Sequence, residues 1–274
     1  PKRIIKATMS IGKISAYIAL ALLLAGSCYY FFSTATPPEQ TRVIAHRGYW
    51  DTAGSAQNSI AALRAAQAIG VYGSEFDVNM TADDSLIVVH GPKHGAIEDV
   101  QNAPFDSICA IPLPNGERVP TLAEYLTTGK ENPKVKLILE IKSHSTPERE
   151  TFVVERILEA VKAAGVERQT EYIAFSLHVC REVVRLAPKA KVAYLEGDRT
   201  PEELYNMGID GLDYPYELVL GNPEWVKQAH YWGLTANIWT VNDEESMRKA
   251  IEQKINFITT DKPELLQQIL REQR

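Results

Sequence analysis

The sequence predicts an α/β fold in which parallel strands close into a barrel. From Thr41 onward, short apolar runs alternate with amphipathic helical stretches, which is the pattern of a parallel sheet with crossover helices. Eight strand-like runs and eight helices can be counted, the number that closes a (β/α)8 or TIM barrel. Polar side chains follow several of the apolar runs, and the carboxyl ends of barrel strands are where sites are built in this fold.

The predicted strands are apolar runs that end in turn-forming residues, and they lie at 43–45, 74–78, 137–141, 172–175, 192–195, 211–214, 237–241 and 257–260. The predicted helices lie between them at 59–69, 121–127, 149–164, 179–187, 201–207, 223–231 and 244–253, with a last one from Pro263. A further run at 86–90 follows the Asp83-Asp84 turn and is expected to form an inserted hairpin at the barrel rim, after the second strand. The region 91–120 is rich in proline and lacks periodicity, which is typical of a functional loop or lid.

The composition supports one large domain at 41–274. The chain of 274 residues is 45% hydrophobic and 23% charged, which is ordinary for a globular protein. A net charge of -6 and an isoelectric point near 5.6 leave no broad basic field, so a nucleic-acid partner is excluded. Cys109 and Cys180 have no motif spacing between them, so neither a zinc site nor a disulfide framework is expected. The composition does not predict an oligomeric state.

The first 40 residues differ in kind and are interpreted as an export signal or membrane anchor followed by a short tether. Four basic residues between Lys2 and Lys13 precede an apolar stretch at 14–25, which is the order found in a signal peptide. The Ala25-Gly26-Ser27-Cys28 sequence then resembles a bacterial lipoprotein processing box, in which Cys28 would carry lipid. The Pro37-Pro38 pair lies in the tether.

Two other interpretations of this segment remain open. Aromatic residues from Tyr29 to Phe32 extend the apolar stretch to 14–32, which approaches the roughly 20 residues needed to span a bilayer as an uncleaved anchor. Cleavage near Ala35 would instead release a soluble secreted protein. On each interpretation the barrel lies outside the cytoplasm, and the cell envelope is the expected location.

Proton-transferring and cation-binding side chains cluster at the ends of apolar runs in the first part of the barrel. Glu75 and Asp77 stand two residues apart on a predicted strand, so both carboxylates project to the same face. Two hard oxygen ligands on one face suit Mg²⁺ or Ca²⁺. His46 and His90 flank this pair in the sequence, and imidazole transfers protons near neutral pH. Each group alone could be structural, but together they indicate metal-assisted acid–base chemistry.

The order and spacing of several polar motifs resemble the glycerophosphodiester phosphodiesterase family. The matching motifs are His46-Arg47-Gly48, Asn58-Ser59, Glu75-Phe76-Asp77-Val78, Thr81-Ala82-Asp83, His90 and Leu139-Glu140-Ile141-Lys142, and the similarity continues through 237–242 to 258–263. The resemblance therefore covers the chain from about Thr41, and the family fold is a TIM barrel. This chain departs from the usual family pattern at Gln57 and Gly91, where the family usually has Glu and Asp.

The resemblance implies a role for each matching polar residue. Glu75, Asp77 and Glu140 are expected to hold one divalent cation, Mg²⁺ or Ca²⁺. His46 and His90 are expected to be the catalytic acid–base pair.

Four further residues are expected to contact the substrate. Arg47 and Lys142 would bind its phosphate, while Trp239 and Asn58 would shape the pocket. Without the resemblance, a salt bridge would explain Lys142 and core packing would explain Trp239 equally well.

The function implied by the resemblance is metal-dependent hydrolysis of glycerophosphodiesters to glycerol 3-phosphate and an alcohol, a reaction of lipid metabolism. Two alternatives remain open. The first is a phosphodiesterase that acts on lysophospholipid or sphingolipid-like headgroups, which apolar surface at Phe105, Ile108 and Ile111 would favour. The second is a barrel that binds phosphodiesters without catalysis.

Overall fold

The structure is a computed structural model that describes residues 40–273. Its strands are β1 Arg42–Ala45, β2 Gly73–Met80, β3 Leu86–Val88, β4 Lys136–Ile141, β5 Thr170–Ala174, β6 Val192–Tyr194, β7 Gly211–Pro215, β8 Thr235–Trp239 and β9 Phe257–Thr260. Its helices are α1 Ile60–Ile69, α2 Phe105–Cys109, α3 Leu122–Gly129, α4 Pro147–Ala164, α5 Leu177–Leu186, α6 Pro201–Asn206, α7 Tyr216–Leu220, α8 Pro223–Tyr231, α9 Glu244–Glu252 and α10 Pro263–Glu272. A 3-10 turn lies at Val100–Asn102.

The described residues form an eight-stranded parallel barrel, which confirms the predicted fold class. The strand order is β1-β9-β8-β7-β6-β5-β4-β2, and parallel pairing of β1 with β2 closes the ring. Strand β3 is antiparallel to β2, with Val78 opposite Val88, so it stands outside the barrel as the predicted hairpin. Because β4 rather than β3 is the next strand of the barrel after β2, Asp77 is directly opposite Glu140.

Local sequence signals explain where the longest helix begins and ends. The Thr146 hydroxyl accepts a hydrogen bond from the Arg149 backbone N–H, and Pro147 occupies the first turn, where no N–H is needed. Gly165 ends the helix with φ 68°, in the left-handed region. Similar caps position the helices that follow the site strands, and Ser59 caps α1.

Side chains alternate along each strand between the helical layer and the barrel interior. Val43 and Ala45 on β1 are buried in the main hydrophobic core under the helices. Ile44 lies between them in the sequence and belongs to a separate cluster with Ile138, Ile173 and Leu195, which fills the barrel. The site residues continue this inward-facing series toward the carboxyl ends of the strands.

The region 91–120 is more structured than its sequence suggests. Its buried side chains form a small hydrophobic core with residues of the loop before α1 and of the β3 segment. This core is composed of Ala56, Ile87, Val89, Val100, Ile108, Leu113 and Val119. The hairpin strand that was expected at 86–90 ends at Val88. Helices α2 and α7 were not predicted because each is only five residues long, too short to show a helical period.

The predicted export segment at 1–39 lies outside the described residues. Within residues 40–273, none of the helices combines the length and the apolar character that crossing a bilayer requires.

Candidate active site

Three acidic side chains meet at the mouth of the barrel. Glu75 and Asp77 lie on β2 and Glu140 on β4, and one carboxylate oxygen from each lies within 4.8 Å of the others. All three residues are buried, with Glu75 3% and Asp77 1% exposed. The structure thus brings together the three residues that the sequence predicted as metal ligands.

The three carboxylates strongly affect each other's ionisation. Burial, followed by the charges of Asp77 and Glu140, raises the pKa of Glu75 well above its ordinary value. Burial and the charge of Asp77 likewise raise the pKa of Glu140 to about 7. Burial also disfavours the charged form of Asp77, but Lys142, Arg47 and His90 outweigh it and lower the pKa of Asp77. Three carboxylates so close together carry an excess of negative charge, which a bound cation would neutralise.

The donor set fits a divalent cation. Oxygen Oε1 of Glu75 is buried and has no hydrogen-bond partner among the described residues. An unpaired buried carboxylate oxygen is costly unless it coordinates a cation. Three carboxylates are hard oxygen ligands of the kind that Mg²⁺ and Ca²⁺ prefer, and such ions complete their coordination with water and substrate oxygens.

Two cationic side chains flank the acidic cluster. Lys142 Nζ lies 2.7 Å from Glu140 Oε1 and 3.3 Å from Asp77 Oδ1. Arg47 Nε lies 3.5 Å from Asp77 Oδ2 on the opposite side. Although burial lowers the pKa of Lys142, the charges of Glu140 and Asp77 outweigh this effect and raise it. Both groups therefore present positive charge beside the acidic cluster.

The loop after β1 is held in an unusual conformation that positions Arg47. Arg47 and Asn58 have φ values of 54° and 62°, in the left-handed region that non-glycine residues rarely adopt. The Arg47 backbone N–H donates to Glu75 Oε2 at 2.6 Å, and Arg47 Nη1 donates to Gln57 Oε1 at 2.7 Å. Asn58 donates to Asp77 Oδ2 at 2.8 Å and accepts from the Asp77 backbone N–H at 3.1 Å. The loop is thus fastened to the acidic strand.

His46 pairs with an acid from the other end of the chain. Its Nδ1 lies 2.8 Å from Asp261 Oδ1, which also accepts from Trp50 Nε1 at 2.9 Å. Asn242 Nδ2 donates to Asp261 Oδ2 at 2.7 Å. Burial raises the pKa of Asp261, but these three donors outweigh it and bring the pKa to about 2. Asp261 is therefore an ionised acceptor that fixes the ring of His46 and leaves its Nε2 free to react.

The sequence interpretation missed Asp261 as a site residue. It lies within the 258–263 motif and directly follows strand β9, so the rule that selected Glu75 and His90 also applies to it. What the sequence lacked was any sign that residues 215 positions apart would be hydrogen-bonded.

His90 follows β3 and is exposed at the wall of the cleft. Asn79 Nδ2 donates to the backbone carbonyls of Val89 at 2.8 Å and His90 at 3.3 Å, which fixes the chain at this point. The protein around the ring desolvates it and lowers the pKa of His90, while the charge of Asp77 acts in the opposite direction. His46 and His90 therefore follow β1 and β3, two strands that pair with β2, the strand that carries Glu75 and Asp77.

The two residues predicted to shape the pocket differ in their contacts. Trp239 donates from Nε1 to the Asp213 carbonyl at 2.8 Å and packs edge-on against Phe175. Asn58 reaches the cavity wall, but its amide is engaged by Asp77, so it also supports the acidic cluster.

Two cavities meet at His90. One cavity, of about 770 Å³ and here named the outer cavity, is lined by the loop 47–58 and by parts of the inserted region, and Arg47, Asn58 and His90 are among its lining residues. The inner cavity, of about 380 Å³, contains Glu140, Lys142 and Phe175. In the part of the chain that the structure describes, His90 and Gly91 are the residues common to both walls.

The site has a cluster of buried acids between two cationic side chains, and a histidine borders two cavities. This arrangement suits a substrate that has an anionic centre and two arms. The fold and the site therefore define a barrel-type hydrolase of the phosphodiesterase class.

Comparison with known proteins gives the family. Residues 46–265 match the glycerophosphoryl diester phosphodiesterase family. The glycerophosphodiester phosphodiesterase of Caldanaerobacter subterraneus subsp. tengcongensis is 29% identical over 246 residues, which cover 85% of this chain and 98% of the relative. A crystal structure of a glycerophosphodiester phosphodiesterase from Parabacteroides distasonis has 44% sequence identity and a TM-score of 0.84, over 85% of this chain and 98% of that one.

A phosphodiesterase from Oleispira antarctica, solved in complex with the product sn-glycerol-3-phosphate, shares the fold at 19% identity, with a TM-score of 0.74 over 85% of this chain and 97% of that one. The chain belongs to the glycerophosphoryl diester phosphodiesterase family, and it is a hydrolase, a glycerophosphodiester phosphodiesterase. The family that the sequence motifs resemble is thereby confirmed.

Proposed function

We propose that the protein hydrolyses glycerophosphodiesters to glycerol 3-phosphate and an alcohol with the help of one divalent cation. The observation that carries this mechanism is the convergence of Glu75, Asp77 and Glu140 within 4.8 Å, with an unpaired buried oxygen on Glu75. The product bound to the Oleispira antarctica phosphodiesterase supports glycerol 3-phosphate as the product here.

Mg²⁺ or Ca²⁺ is the cation that we propose for this site. When bound, it would neutralise charge on the non-bridging phosphate oxygens and polarise the phosphorus–oxygen bonds. The absence of sulfur and imidazole from the three-acid set, in the described residues, favours a hard cation over zinc or copper.

Arg47 and Lys142 are proposed to bind the remaining charge of the phosphate. They approach Asp77 from two sides, at 3.5 Å and 3.3 Å, so a phosphate over the acidic cluster would lie between a guanidinium and an ammonium group. Fixed positive charge of this kind stabilises a five-coordinate phosphorus more than the ground state, because negative charge builds up on its oxygens.

His46 is proposed as the general base and His90 as the general acid. Ionised Asp261 accepts from Nδ1 of His46 and stabilises the imidazolium that forms when Nε2 takes a proton from the nucleophile. His90 lies where the two cavities meet and can give its proton to the departing alcohol oxygen in either one. The nucleophile is either water or the neighbouring hydroxyl of the glycerol moiety, which would first give a cyclic phosphate.

The test is turnover of glycerophosphodiesters by the protein without residues 1–39. We expect glycerol 3-phosphate to appear only with added Mg²⁺ or Ca²⁺, and chelator to abolish it. His46→Asn and His90→Asn should each lower kcat by about 100-fold or more, as general acid–base groups do. His230→Asn is a matched control, since that ring contacts Asn256 instead. Near-normal turnover by either site variant would contradict the acid–base assignment.

The structure does not favour the alternative of a lipid-headgroup phosphodiesterase. That alternative expected apolar surface on the inserted region, but Ile108 is fully buried and Phe105 packs against the second core. The alternative of a non-catalytic barrel is opposed by the hydrogen bonds that orient His46, Arg47 and Asp77 together. A panel of intact lysophospholipids beside the water-soluble diesters separates the first alternative from the proposal.

We further propose that residues 1–40 export the protein and tether it to the cell envelope. The support is the basic, apolar and small-residue order that ends at Cys28. Loss of lipid labelling in Cys28→Ser would support the lipoprotein form. If the unaltered protein takes up no lipid label and stays in the membrane, the uncleaved anchor is indicated. If it takes up no label and is soluble, ordinary cleavage is indicated.

A further inference from the structure

A diester has two arms, and this structure offers a separate cavity for each. The phosphate position between Arg47 and Lys142 lies where the cavities meet, because Arg47 lines the outer cavity and Lys142 the inner one. The glycerol arm is the small and constant part of the substrate, and the inner cavity of about 380 Å³ matches it. The outer cavity of about 770 Å³ is then left for the alcohol that departs.

The charged residues of the outer wall are already neutralised. Lys93 Nζ lies 2.6 Å from Glu98 Oε2, and Asp51 is ion-paired with Lys262. The guanidinium of Arg47 is shared between Gln57 and Asp77. In the described chain the cavity therefore presents no unpaired carboxylate that could bind a cationic headgroup.

The rest of the wall is uncharged, and it mixes hydroxyl or amide groups with apolar surface. Thr52, Ser55 and Gln57 provide the polar groups, and the apolar part consists of Trp50, Ala53, Ala56, Val89, Leu113 and Pro114. The Trp50 indole is the one large aromatic group among these described lining residues, and its N–H is committed to Asp261. A quaternary ammonium is normally enclosed by several aromatic faces or a carboxylate, so this wall does not suit it.

We propose that the outer cavity is the leaving-alcohol subsite and that it selects uncharged polyhydroxy alcohols over cationic ones. This inference rests on the proposed function. A polyol can hydrogen-bond to the hydroxyl and amide groups while its carbon frame packs on the apolar wall, whereas a cation would lose water without gaining a partner.

The first experiment measures kcat/KM with five substrates: the glycerol, inositol, choline and ethanolamine diesters of glycerol 3-phosphate, and the methyl diester as the smallest headgroup. We expect the glycerol and inositol diesters to exceed the choline diester by about tenfold, which corresponds to about 1.4 kcal/mol. A preference for choline or ethanolamine would overturn the selectivity.

Two substitutions test where the headgroup binds. Ala53 is exposed on the outer wall, and Ala53→Trp should lower kcat/KM for the inositol diester by about tenfold or more relative to the methyl diester. Thr52→Glu adds a carboxylate to the same wall and should raise kcat/KM for the choline diester by about three- to fivefold, the effect of one partly exposed charge pair. Ala163→Trp and Ala163→Glu are matched controls, because Ala163 is exposed on α4 and outside both walls.

The outcomes separate the two proposals. If no glycerophosphodiester releases glycerol 3-phosphate, the proposed function fails. If the substrates are hydrolysed but Ala53→Trp slows the methyl and inositol diesters equally, the outer cavity holds the glycerol arm and this inference is wrong. If neither variant changes the ratios between substrates, the headgroup does not occupy the cavity.

Discussion

Replacing Asp261 by Asn should lower kcat/KM about tenfold while leaving the site assembled. The substituted amide keeps an oxygen that can accept from both His46 Nδ1 and Trp50 Nε1, as Asp261 Oδ1 does at 2.8 and 2.9 Å. Asn242 cannot turn its amide to meet the new NH₂ group without losing two hydrogen bonds, because its Oδ1 accepts from the Asp261 backbone N–H at 2.9 Å and from Thr260 Oγ1 at 3.2 Å. The substitution therefore removes the negative charge and the hydrogen bond from Asn242, while the oxygen that orients His46 keeps both of its donors.

The magnitude follows from the acidity of Asp261. Lowering its pKa from 3.8 to about 2 corresponds to roughly 2.5 kcal/mol, at about 1.4 kcal/mol for each tenfold change in proton affinity. Three donors share this stabilisation, and the site is partly open to solvent, which screens it. The share of His46 is then about 1–1.5 kcal/mol. Asp261→Asn loses this stabilisation of the imidazolium that forms in the transition state. Asp261→Ala removes the acceptor as well and should cost more.

Steady-state kinetics with glycerophosphodiester and saturating cation measure this effect, and cation binding by calorimetry is the control. We expect cation affinity to be unchanged, since Asp261 is not among the three clustered acids. If Asp261→Asn and Asp261→Ala both retain full kcat/KM, His46 does not need a charged partner, and its assignment as the base loses its support.

Four further predictions concern the acids and the backbone. Glu75→Gln should weaken Mg²⁺ or Ca²⁺ binding by at least about tenfold in calorimetry, with an unchanged circular dichroism spectrum. In the unaltered protein, calorimetry should show cation affinity falling as the pH drops from 8 to 6, because protons compete with the cation at Glu140, whose pKa is about 7. Burial raises the pKa of Asp213 to about 8, so its folded-state penalty grows as pH rises from about 4 to 8. In urea unfolding, the free energy of unfolding of Asp213→Asn should exceed that of the parent, and this excess should grow by about 2–5 kcal/mol from pH 5 to pH 9. A difference that does not change with pH would refute this. Gly48→Ala should destabilise by about 2–4 kcal/mol in thermal unfolding, since a Cβ there lies 2.6 Å from Ala62 Cβ at φ +77°; Gly54→Ala has φ +76° and open space, so it isolates the backbone strain, and equal losses would contradict the packing argument.

The barrel and the first two acids of the cluster were predictable because both depend on short-range periodicity. The two-residue spacing of Glu75 and Asp77 fixes their common face, and so does that of Glu140 and Lys142. Assigning the run at 86–90 to a hairpin left β4 as the neighbour of β2, and this neighbour relation brings Asp77 and Glu140 together. Pattern alone therefore predicted the Glu75–Asp77 pair, whereas Glu140 was added to it only by the family resemblance, and the roles of the individual residues stay predictions.

The contacts that long-range geometry creates could not be predicted. Asp261 reaches His46 only because β9 closes against β1. His144 follows β4, and its ring accepts from the Met80 backbone N–H at 3.3 Å and contacts the Lys142 carbonyl at 2.8 Å, so it braces the strand end that carries Lys142. Neither contact has a signature in the local sequence, because each depends on how distant strand ends align.

The seam between β1 and β2 closes the barrel through a ladder of only two residue pairs, Ile44 with Gly73 and Ala45 with Ser74. Beyond that ladder, two hydrogen bonds from the loop after β1 join it to β2. The Gly48 backbone N–H donates to the Glu75 carbonyl, and the Arg47 backbone N–H donates to the Glu75 carboxylate. The groups that are proposed to take part in catalysis thus also hold the barrel closed between β1 and β2. Saturating the cleft with cation should therefore slow amide hydrogen exchange along β1 and β2 more than along the helices opposite.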